Sequence, residues 1–187
     1  MMKRLLLIFT IISCSLYAYS QENSADINYY NESKTFYEDG YAYKSKSGAG
    51  FVELYNADNK WVNIQKIYMD TGEVPEFLTY ELKTPFHKPW IKRVVQKTFT
   101  DEQLKNIGDE YFMIELYINS SSGRVDGVLF HFSKDDYFSK IPVYYYRKIE
   151  LEIKKRLKFR RTKAGKRMNY VTSVTYCYPN DIRKEHY

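Results

Sequence analysis

Two runs rich in apolar and aromatic residues, joined by a short polar turn, constrain the fold of this chain more than any other feature. The runs are Tyr111–Ile118 and Arg124–Phe132, and Asn119–Gly123 lies between them. Small polar residues favour turns, and Gly123 is free to adopt a positive φ. The pattern predicts a β-hairpin with a five-residue connection. An isolated hairpin is only marginally stable in water, so this one must pack against another element.

The segment from about Pro142 to Leu157 is predicted to be the helix that covers the hairpin. Its apolar residues recur at spacings of three and four, which places them on one helix face. These residues are Tyr146, Ile149, Ile153 and Leu157. Glu150 and Glu152 each stand four residues before a basic residue, an order that favours ion pairs along a helix. Basic residues in the last turn complement the negative end of the helix dipole.

The segment Asn169–Tyr178 alternates again and predicts a last strand that ends before Pro179. We expect each strand to direct successive side chains to opposite faces of the sheet. In the last strand, one face carries Tyr170, Thr172, Val174, Tyr176 and Tyr178, and the other carries Val171, Ser173, Thr175 and Cys177. In the second hairpin strand, one face carries Val125, Gly127, Leu129 and His131, and the other carries Asp126, Val128, Phe130 and Phe132.

The order of strand, glycine turn, strand, helix, basic loop and strand resembles the carboxy-terminal domain of TonB-type energy transducers. The residues that carry the resemblance lie at the turn, around the basic loop and in the last strand: Ser122, Gly123, Arg124, Val125, Leu157, Lys158, Phe159, Gly165, Lys166, Tyr170, Val171 and Val174. The resemblance implies that a short peptide of an outer-membrane receptor binds along a sheet edge by β-augmentation. The chain departs from the family because five prolines in total cannot make a long Pro-rich spacer, so the resemblance does not extend to energy coupling.

The first twenty residues, Met1–Ser20, have the anatomy of an export signal. Their apolar run, Leu5–Ile12, follows a basic start and is too short to span a bilayer. Ala18–Ser20 matches a small-x-small cleavage site, whereas a second interpretation is a lipobox that ends at Cys14. We favour cleavage after Ser20 and a soluble product that is periplasmic or secreted, with no transmembrane helix in the mature chain.

Between Phe36 and Asp70, short β-like runs alternate with turn signals and predict an antiparallel meander. The runs are Tyr41–Lys46, Phe51–Tyr55 and Trp61–Asp70. Val74–Pro89 contains three prolines and predicts a crossing loop with a short strand at Phe77–Leu82, and Ile91–Gln96 predicts a further strand. Thr100 and Gln103 form a capping-box pattern, which predicts a two-turn helix ended by Gly108.

Nine of the fourteen residues from Lys154 to Arg167 are basic, and none is acidic. One interpretation is a patch for anionic glycans, lipid phosphates or an acidic partner, with Arg160, Arg161, Lys163 and Lys166 as candidate residues. The alternative is an ordinary solvated helix end and loop. Removal of Lys3 and Arg4 with the predicted signal lowers the formal net charge from +6 to +4, which is mild, and export argues against a nucleic-acid partner.

Twenty tyrosines make an exposed aromatic surface a second candidate site. Tyrosine combines an apolar ring with a polar tip, which suits wet binding surfaces. The candidate residues are Tyr170, Tyr176 and Tyr178 on the last strand. The alternative is a tyrosine-rich β surface with no ligand.

No catalytic or metal-binding pattern is present in the sequence. His87, His131 and His186 are scattered and lack a second ligand at metal-binding spacing. Gly-x-Ser-x-Gly, phosphate-binding and dinucleotide-binding motifs are absent as well. We therefore expect no cofactor and no enzyme activity. An enzyme site assembled from the meander is the remaining alternative.

These patterns predict an α+β protein in which an N-terminal antiparallel β meander precedes a helix–β-hairpin–helix–strand unit. The expected divisions are a signal peptide (1–20), a flexible lead-in (21–35), the meander (36–98), the TonB C-terminal-like unit (99–179) and a tail (180–187). The expected function is an exported, non-enzymatic binding module of the cell envelope that recognises a peptide or protein segment at a sheet edge. The alternative is an envelope protein that binds anionic glycan or lipid through residues 154–167.

Overall fold

The computed structural model describes residues 27–76, 79–83 and 88–180, which form one antiparallel sheet with helices on one face. The six strands are β1 (Lys34–Glu38), β2 (Tyr41–Gly48), β3 (Phe51–Asn56), β4 (Phe112–Asn119), β5 (Val125–Ser133) and β6 (Tyr170–Cys177). The helices are α1 (Lys88–Thr98), α2 (Asp101–Ile107), α3 (Val143–Arg156) and the short α4 (Lys163–Arg167), with a 3-10 turn at Tyr137–Lys140. The strand order is β1-β2-β3-β5-β4-β6, so the mixed α+β class is confirmed.

The predicted meander joins the main sheet instead of standing apart from it. Two-residue connections link β1 to β2 and β2 to β3, and Asp39, Gly40, Ala49 and Gly50 all have positive φ. Such turns match the right-handed twist of paired strands. Strand β3 then pairs with β5 along Phe51–Tyr55, so the meander extends the sheet by three strands.

The helices cover one face of the sheet, here called the helix face, and the opposite face is called the open face. The predicted stripe on α3 lies in the core: Tyr146, Ile149 and Ile153 are fully buried, and Leu157 is nearly so. The Tyr146 ring stacks on Phe132 at a centroid distance of 5.4 Å, and its hydroxyl donates to the Phe138 carbonyl at 2.8 Å. Pro142 was predicted to lie in the first turn, but it is the N-cap residue of α3, which begins one position later at Val143.

The predicted helix start at Thr100 is also confirmed. The Thr100 hydroxyl accepts from the Gln103 amide at 3.1 Å, and the Gln103 side chain accepts from the Thr100 amide at 2.9 Å. Gly108 follows the helix with a φ of 56°. This reciprocal pair satisfies two amides that a helix start otherwise leaves without partners.

Two of the predicted strands are wrong. Ile91–Gln96 lies within α1, because Ile91, Val95 and Phe99 stand four residues apart and all face the core. Trp61–Asp70 forms turns with one isolated bridge at Tyr68, because this segment leaves the sheet after β3 and crosses the open face. Trp61 and Val62, which are adjacent in sequence, both pack on the buried residues of that face, so the predicted alternation does not hold there.

A β-bulge corrects the predicted alternation of β5. Tyr117 pairs with Gly127, but the next residue, Ile118, pairs with Val125, so Asp126 is the extra residue. Val125 therefore shares the helix face with Val128, and only Gly127, Leu129 and His131 stay on the open face as predicted. Asp126 changes face as well, because its carboxylate accepts hydrogen bonds from Trp61 and Asn119 on the open face. Sequence spacing alone does not reveal the shift, because a bulge changes the direction of side chains without changing composition.

Part of the predicted lead-in is packed against the sheet. Tyr30 is fully buried, its hydroxyl donates to the Ile141 carbonyl at 2.8 Å, and the Tyr29 amide donates to the Ser139 carbonyl at 2.9 Å. Two tyrosines in a polar segment thus anchor residues 27–33 to the core. The predicted signal, Cys14, the residues 77–78 of the short predicted strand, His87 and the tail beyond residue 180 lie outside the described residues. Among the helices in the described ranges, none combines the length and apolar character needed to cross a bilayer.

Candidate functional site

The basic run does not form a single binding surface, because one of its central residues supports the fold. The Arg161 guanidinium donates to the carbonyls of Ser120 at 3.0 Å and Phe159 at 3.1 Å, and also to that of Ser121. The Phe159 amide donates to the Gly123 carbonyl at 2.8 Å. Arg161, which was predicted as a binding residue, thus ties the basic loop to the β4–β5 turn through its guanidinium.

Other cations of the run are paired, whereas several remain in solvent. Lys154 lies 3.6 Å from Glu150, and Arg167 lies 2.6 Å from Asp70. The exposed cations for which the described residues provide no ion pair are Lys155, Lys158, Arg160, Lys163 and Lys166. They form a cationic surface at the end of α3 and along α4.

Tyr170 is buried and is not available to a ligand. Its ring lies 4.9 Å from Trp61 and 5.5 Å from Tyr117, and its hydroxyl donates to the Ile64 carbonyl at 2.7 Å. The segment that crosses the open face therefore covers the first half of β6. Tyr170 was predicted as a binding residue, but the segment that crosses the open face covers it, so it is no longer a candidate. Sequence spacing did not place that segment over β6.

Tyr176 and Tyr178 belong to an exposed aromatic group at the other end of β6. Tyr111 lies between them, with ring centroids 5.8 Å from Tyr176 and 4.9 Å from Tyr178. Phe51, Tyr111 and Tyr176 are 62%, 47% and 55% exposed, which is unusual for large rings grouped on one sheet face. Six residues of extended chain separate Tyr176 from Tyr170, about 20 Å, so this group is remote from the basic loop.

A depression of about 420 Å³ opens beside this aromatic group on the open face. Its lining is mainly apolar and comes from four strands and the loop after β5: Phe51, Tyr111, Met113, His131, Phe132, Ser133, Asp136 and Tyr176. On its floor, the His131 Nε2 atom lies 3.6 Å from a Glu115 carboxylate oxygen. Burial raises the pKa of the Asp136 carboxyl above its ordinary value, and nearby Asp135 raises it further.

Of the eight residues that line this depression, sequence reasoning named only Tyr176 as a binding residue. Phe51, Tyr111 and Met113 come from strands that are distant along the chain, so no local motif unites them. The alternation of the first hairpin strand does place Tyr111 and Met113 on one face, and the pairing of Met113 with Tyr176 brings that face to β6. That signal becomes readable only once the strand order is known.

Strand β6 lies at one edge of the sheet, and its outward backbone groups are only partly used. The Thr172 amide points away from β4 and donates to a Glu81 carboxylate oxygen at 3.0 Å. In an antiparallel ladder the outward residues alternate, so the N–H and C=O groups of Val174 and Tyr176 point outward as well. Over the described ranges, no backbone group pairs with these two residues on that side.

A groove of about 340 Å³ begins where the edge becomes free. It is lined by Thr79, Tyr80, Glu81, Leu82, Thr172, Ser173 and Val174. Lys66 neutralises Glu81 at 2.6 Å and also donates to the Thr172 hydroxyl at 2.7 Å. The segment 79–83 thus closes the first half of the edge and leaves the half that contains Val174 and Tyr176.

A polar cluster beneath α3 is closed to ligands. Glu150 and Tyr43 are both fully buried and hydrogen-bonded to each other, and Arg147 donates to the same carboxylate at 3.0 Å. Burial, together with the Glu150 charge, raises the pKa of the Tyr43 hydroxyl well above its ordinary value. The cluster joins α3 to β2 and offers no open position for a substrate. Within the part of the chain that the structure describes, no group of His, Cys, Asp or Glu side chains has the arrangement of a metal site.

Comparisons with known proteins place this fold in a family. The model of a family described as "Domain of unknown function (DUF5043)" matches residues 26–175. The crystal structure of a DUF5043 family protein from Bacteroides uniformis ATCC 8492, at 1.85 Å resolution, is similar with a TM-score of 0.76 and 27% sequence identity. The similarity covers 83% of this chain and 90% of that one. A comparison with curated proteins found no match.

Proposed function

The chain belongs to the DUF5043 family, and we propose that it is an exported, non-enzymatic binding module of the cell envelope that captures an extended peptide along β6. The observation that carries this proposal is the half of the β6 edge with which no described backbone group pairs, where the backbone groups of Val174 and Tyr176 point outward. An extended peptide added there gains main-chain hydrogen bonds from the strand and side-chain contacts from the two flanking surfaces. The export signal predicted from residues 1–20 sets the proposed location.

The size of the free edge predicts weak binding. Two outward residues offer four backbone hydrogen bonds, and each contributes about 0.5–1.5 kcal/mol net. Contacts with the exposed Tyr176 ring add to this, while ordering the peptide offsets part of the gain. The resulting dissociation constant is expected between about 1 μM and 1 mM. Solution NMR is suited to this range.

A proline substitution tests the edge directly. Val174→Pro removes an outward N–H group and leaves the ladder to β4 intact, because prolines are tolerated at edge positions whose N–H faces solvent. Val174→Ala is the matched control, since it shortens the side chain but keeps the N–H group. Heptapeptides selected from a random displayed library on the wild-type protein are expected to bind Val174→Pro at least about fivefold more weakly. They should bind Val174→Ala nearly as well as wild type.

The contrary result is equally clear. Selected peptides that bind both variants equally, or that leave the amide signals of Val174 and Tyr176 unshifted, would exclude edge capture. Circular dichroism and the thermal midpoint of each variant establish that the proline protein is folded before binding is compared.

A second candidate function rests on the five exposed cations of the basic loop. They stand within twelve residues, and residues 153–180 contain no acid, so this surface favours an anionic glycan or lipid headgroup. Replacing Arg160, Lys163 and Lys166 with Ala should lower the salt concentration that elutes the protein from heparin or lipid A resin. A control that replaces the exposed Lys44, Lys97 and Lys105 removes the same charge elsewhere. Equal elution of the two triple variants would exclude a specific anionic site.

A further inference from the structure

The depression on the open face is surrounded by large rings that remain in contact with solvent. Phe51 comes from β3, Tyr111 directly precedes β4, and Tyr176 comes from β6. Each of the three side chains is between 47% and 62% exposed. The volume of about 420 Å³ lies within the range of small-molecule sites. Rings at the mouth of such a depression can contact a ligand without any change in the fold.

The wall of the depression also carries a carboxylate in an acidic neighbourhood. Burial raises the pKa of the Asp136 carboxyl, and the charge of Asp135 raises it further. The pKa of nearby Glu110 is raised by burial and then by the charge of Asp136, while Lys140 acts in the opposite direction. Each of these carboxylates disfavours the charged form of its neighbour, so a cation placed beside Asp136 relieves the repulsion.

The floor of the depression adds more negative than positive charge. His131 lies there, and its Nε2 atom is 3.6 Å from a Glu115 carboxylate oxygen. Glu53 pairs with His131 across the β3–β5 ladder, so the two side chains share the open face. One imidazole therefore stands between two carboxylates, and this arrangement disfavours an anionic ligand.

Lysines on the neighbouring segments are bound to groups outside the depression. The Lys46 ammonium donates to the Asn63 side chain at 2.9 Å, and the Lys134 ammonium donates to the Asn31 carbonyl at 3.4 Å. Neither acceptor lines the depression, and its eight lining residues, all of them described, include no lysine or arginine. The charge that lines the depression is thus suited to a cation.

We propose that this depression binds a small organic amine, with the apolar body against Phe51, Tyr111 and Tyr176 and the ammonium group beside Asp136. Aromatic faces attract cations as well as apolar groups, so the same rings contact both parts of such a ligand. A neutral sugar also suits exposed rings, but it gains less from the carboxylates. The inference does not rest on edge capture, because it uses side chains of the open face and not the backbone of β6.

Three small phenols test the ligand class, because they share one ring and differ in charge. At neutral pH tyramine is a cation, tyrosol is uncharged and 4-hydroxyphenylacetate is an anion. Each is titrated into the 15N-labelled protein, and the amide shifts of Met113 and His131, which both line the depression, are followed. Tyramine should bind about threefold to tenfold more tightly than tyrosol, as expected for one partly exposed charge pair with a cation–π contact. 4-Hydroxyphenylacetate should bind more weakly than tyrosol.

Two substitutions separate the charge of the site from its rings. Asp136→Asn keeps the size of the side chain and should reduce the preference for tyramine over tyrosol at least about twofold. Asp39→Asn makes the same change of charge at an exposed position in the β1–β2 turn and should leave the preference unchanged. Tyr111→Leu removes an exposed ring and should weaken the binding of both probes. An unchanged preference in Asp136→Asn, or unchanged affinities in Tyr111→Leu, would overturn the inference.

Maltose, titrated in the same way, represents a neutral sugar. The amine is the wrong ligand class if tyramine and tyrosol bind equally, if maltose binds at the same amides more tightly than tyramine, or if none of the three phenols binds. None of these results bears on edge capture, which is judged from selected peptides and Val174→Pro at the amides of Val174 and Tyr176. Tyramine binding, in turn, is expected even if no selected peptide responds to Val174→Pro.

Discussion

The buried carboxylate of Glu150 gives the sharpest test of how this fold is held together. Glu150 and Glu152 belong to the same helix, and each stands four residues before a basic residue. Glu150 is fully buried, whereas Glu152 and Arg156 are 41% and 59% exposed and lie 3.0 Å apart. We expect Glu150→Ala to destabilise the protein strongly and Glu152→Ala to have little effect.

The expected loss in the free energy of unfolding follows from the groups that lose the Glu150 carboxylate as a hydrogen-bond partner. The Tyr43 hydroxyl is fully buried, and an unsatisfied buried donor costs about 1–3 kcal/mol. The Asn56 amide, 3.4 Å from the carboxylate, adds a smaller loss, and the removed side-chain atoms leave a cavity. Arg147 is partly exposed and regains water, so its contribution is discounted. The total is about 2–4 kcal/mol for Glu150→Ala.

Urea and thermal unfolding measure this difference. For a domain of this size, each kcal/mol shifts the thermal midpoint by about 2–4 °C, so Glu150→Ala should lower it by roughly 5–15 °C. Glu150→Gln keeps an oxygen acceptor for Tyr43 and should lose about half as much. Glu152→Ala should cost about 0.5 kcal/mol or less. The reasoning would be refuted if the free energies of unfolding of Glu150→Ala and Glu152→Ala differed by less than about 0.5 kcal/mol.

Three further predictions concern the contacts that shape the β6 edge and the basic loop. A Cβ at Gly165 would clash with the Glu81 carbonyl, so Gly165→Ala should cost about 1–3 kcal/mol in urea unfolding and speed hydrogen exchange in the segment that covers β6. Arg161→Ala should loosen the β4–β5 turn, cost ~1–2 kcal/mol, and raise amide exchange there. The Arg167 guanidinium holds the pKa of Asp70 below its usual range, so Arg167→Ala should raise it in an NMR titration. The stability from this depressed pKa is present above the ordinary carboxyl pKa and is lost as pH falls through the folded-state pKa.

The first two of these predictions have a matched control. Gly48→Ala adds a methyl group where nothing lies within 4 Å, and it should leave amide exchange near β6 unchanged. Lys163→Ala removes an exposed cation of the same loop and should not alter the β4–β5 turn. If Gly165→Ala or Arg161→Ala leaves the amide exchange rates at their wild-type values, the contact that it was meant to remove is contradicted. The Arg167–Asp70 contact is contradicted if Arg167→Ala leaves the pKa of Asp70 unchanged.

Local chemistry in the chain was sufficient to predict the elements that depend on neighbours in sequence. The hairpin of β4 and β5, the tight turns of the meander and the Thr100 cap all depend on contacts within a few residues. The stripe of Tyr146, Ile149 and Ile153 was readable because helical spacing and burial agree there. In each case the residues that decide the structure lie inside one short window.

Contacts between residues that are distant along the chain determined the features that the sequence did not predict. Val125 changed face because of a bulge, Arg161 became a support for the turn, and Tyr170 was covered by Trp61 from a segment more than a hundred residues earlier. Glu150 and Glu152 each stand four residues before a basic residue, yet only Glu150 contacts β2. The candidate site has the same origin, because Tyr111, Met113 and Tyr176 meet only after β4 pairs with β6. Alternation and spacing describe one element at a time, whereas burial, edge exposure and charge pairing depend on which elements come to lie side by side.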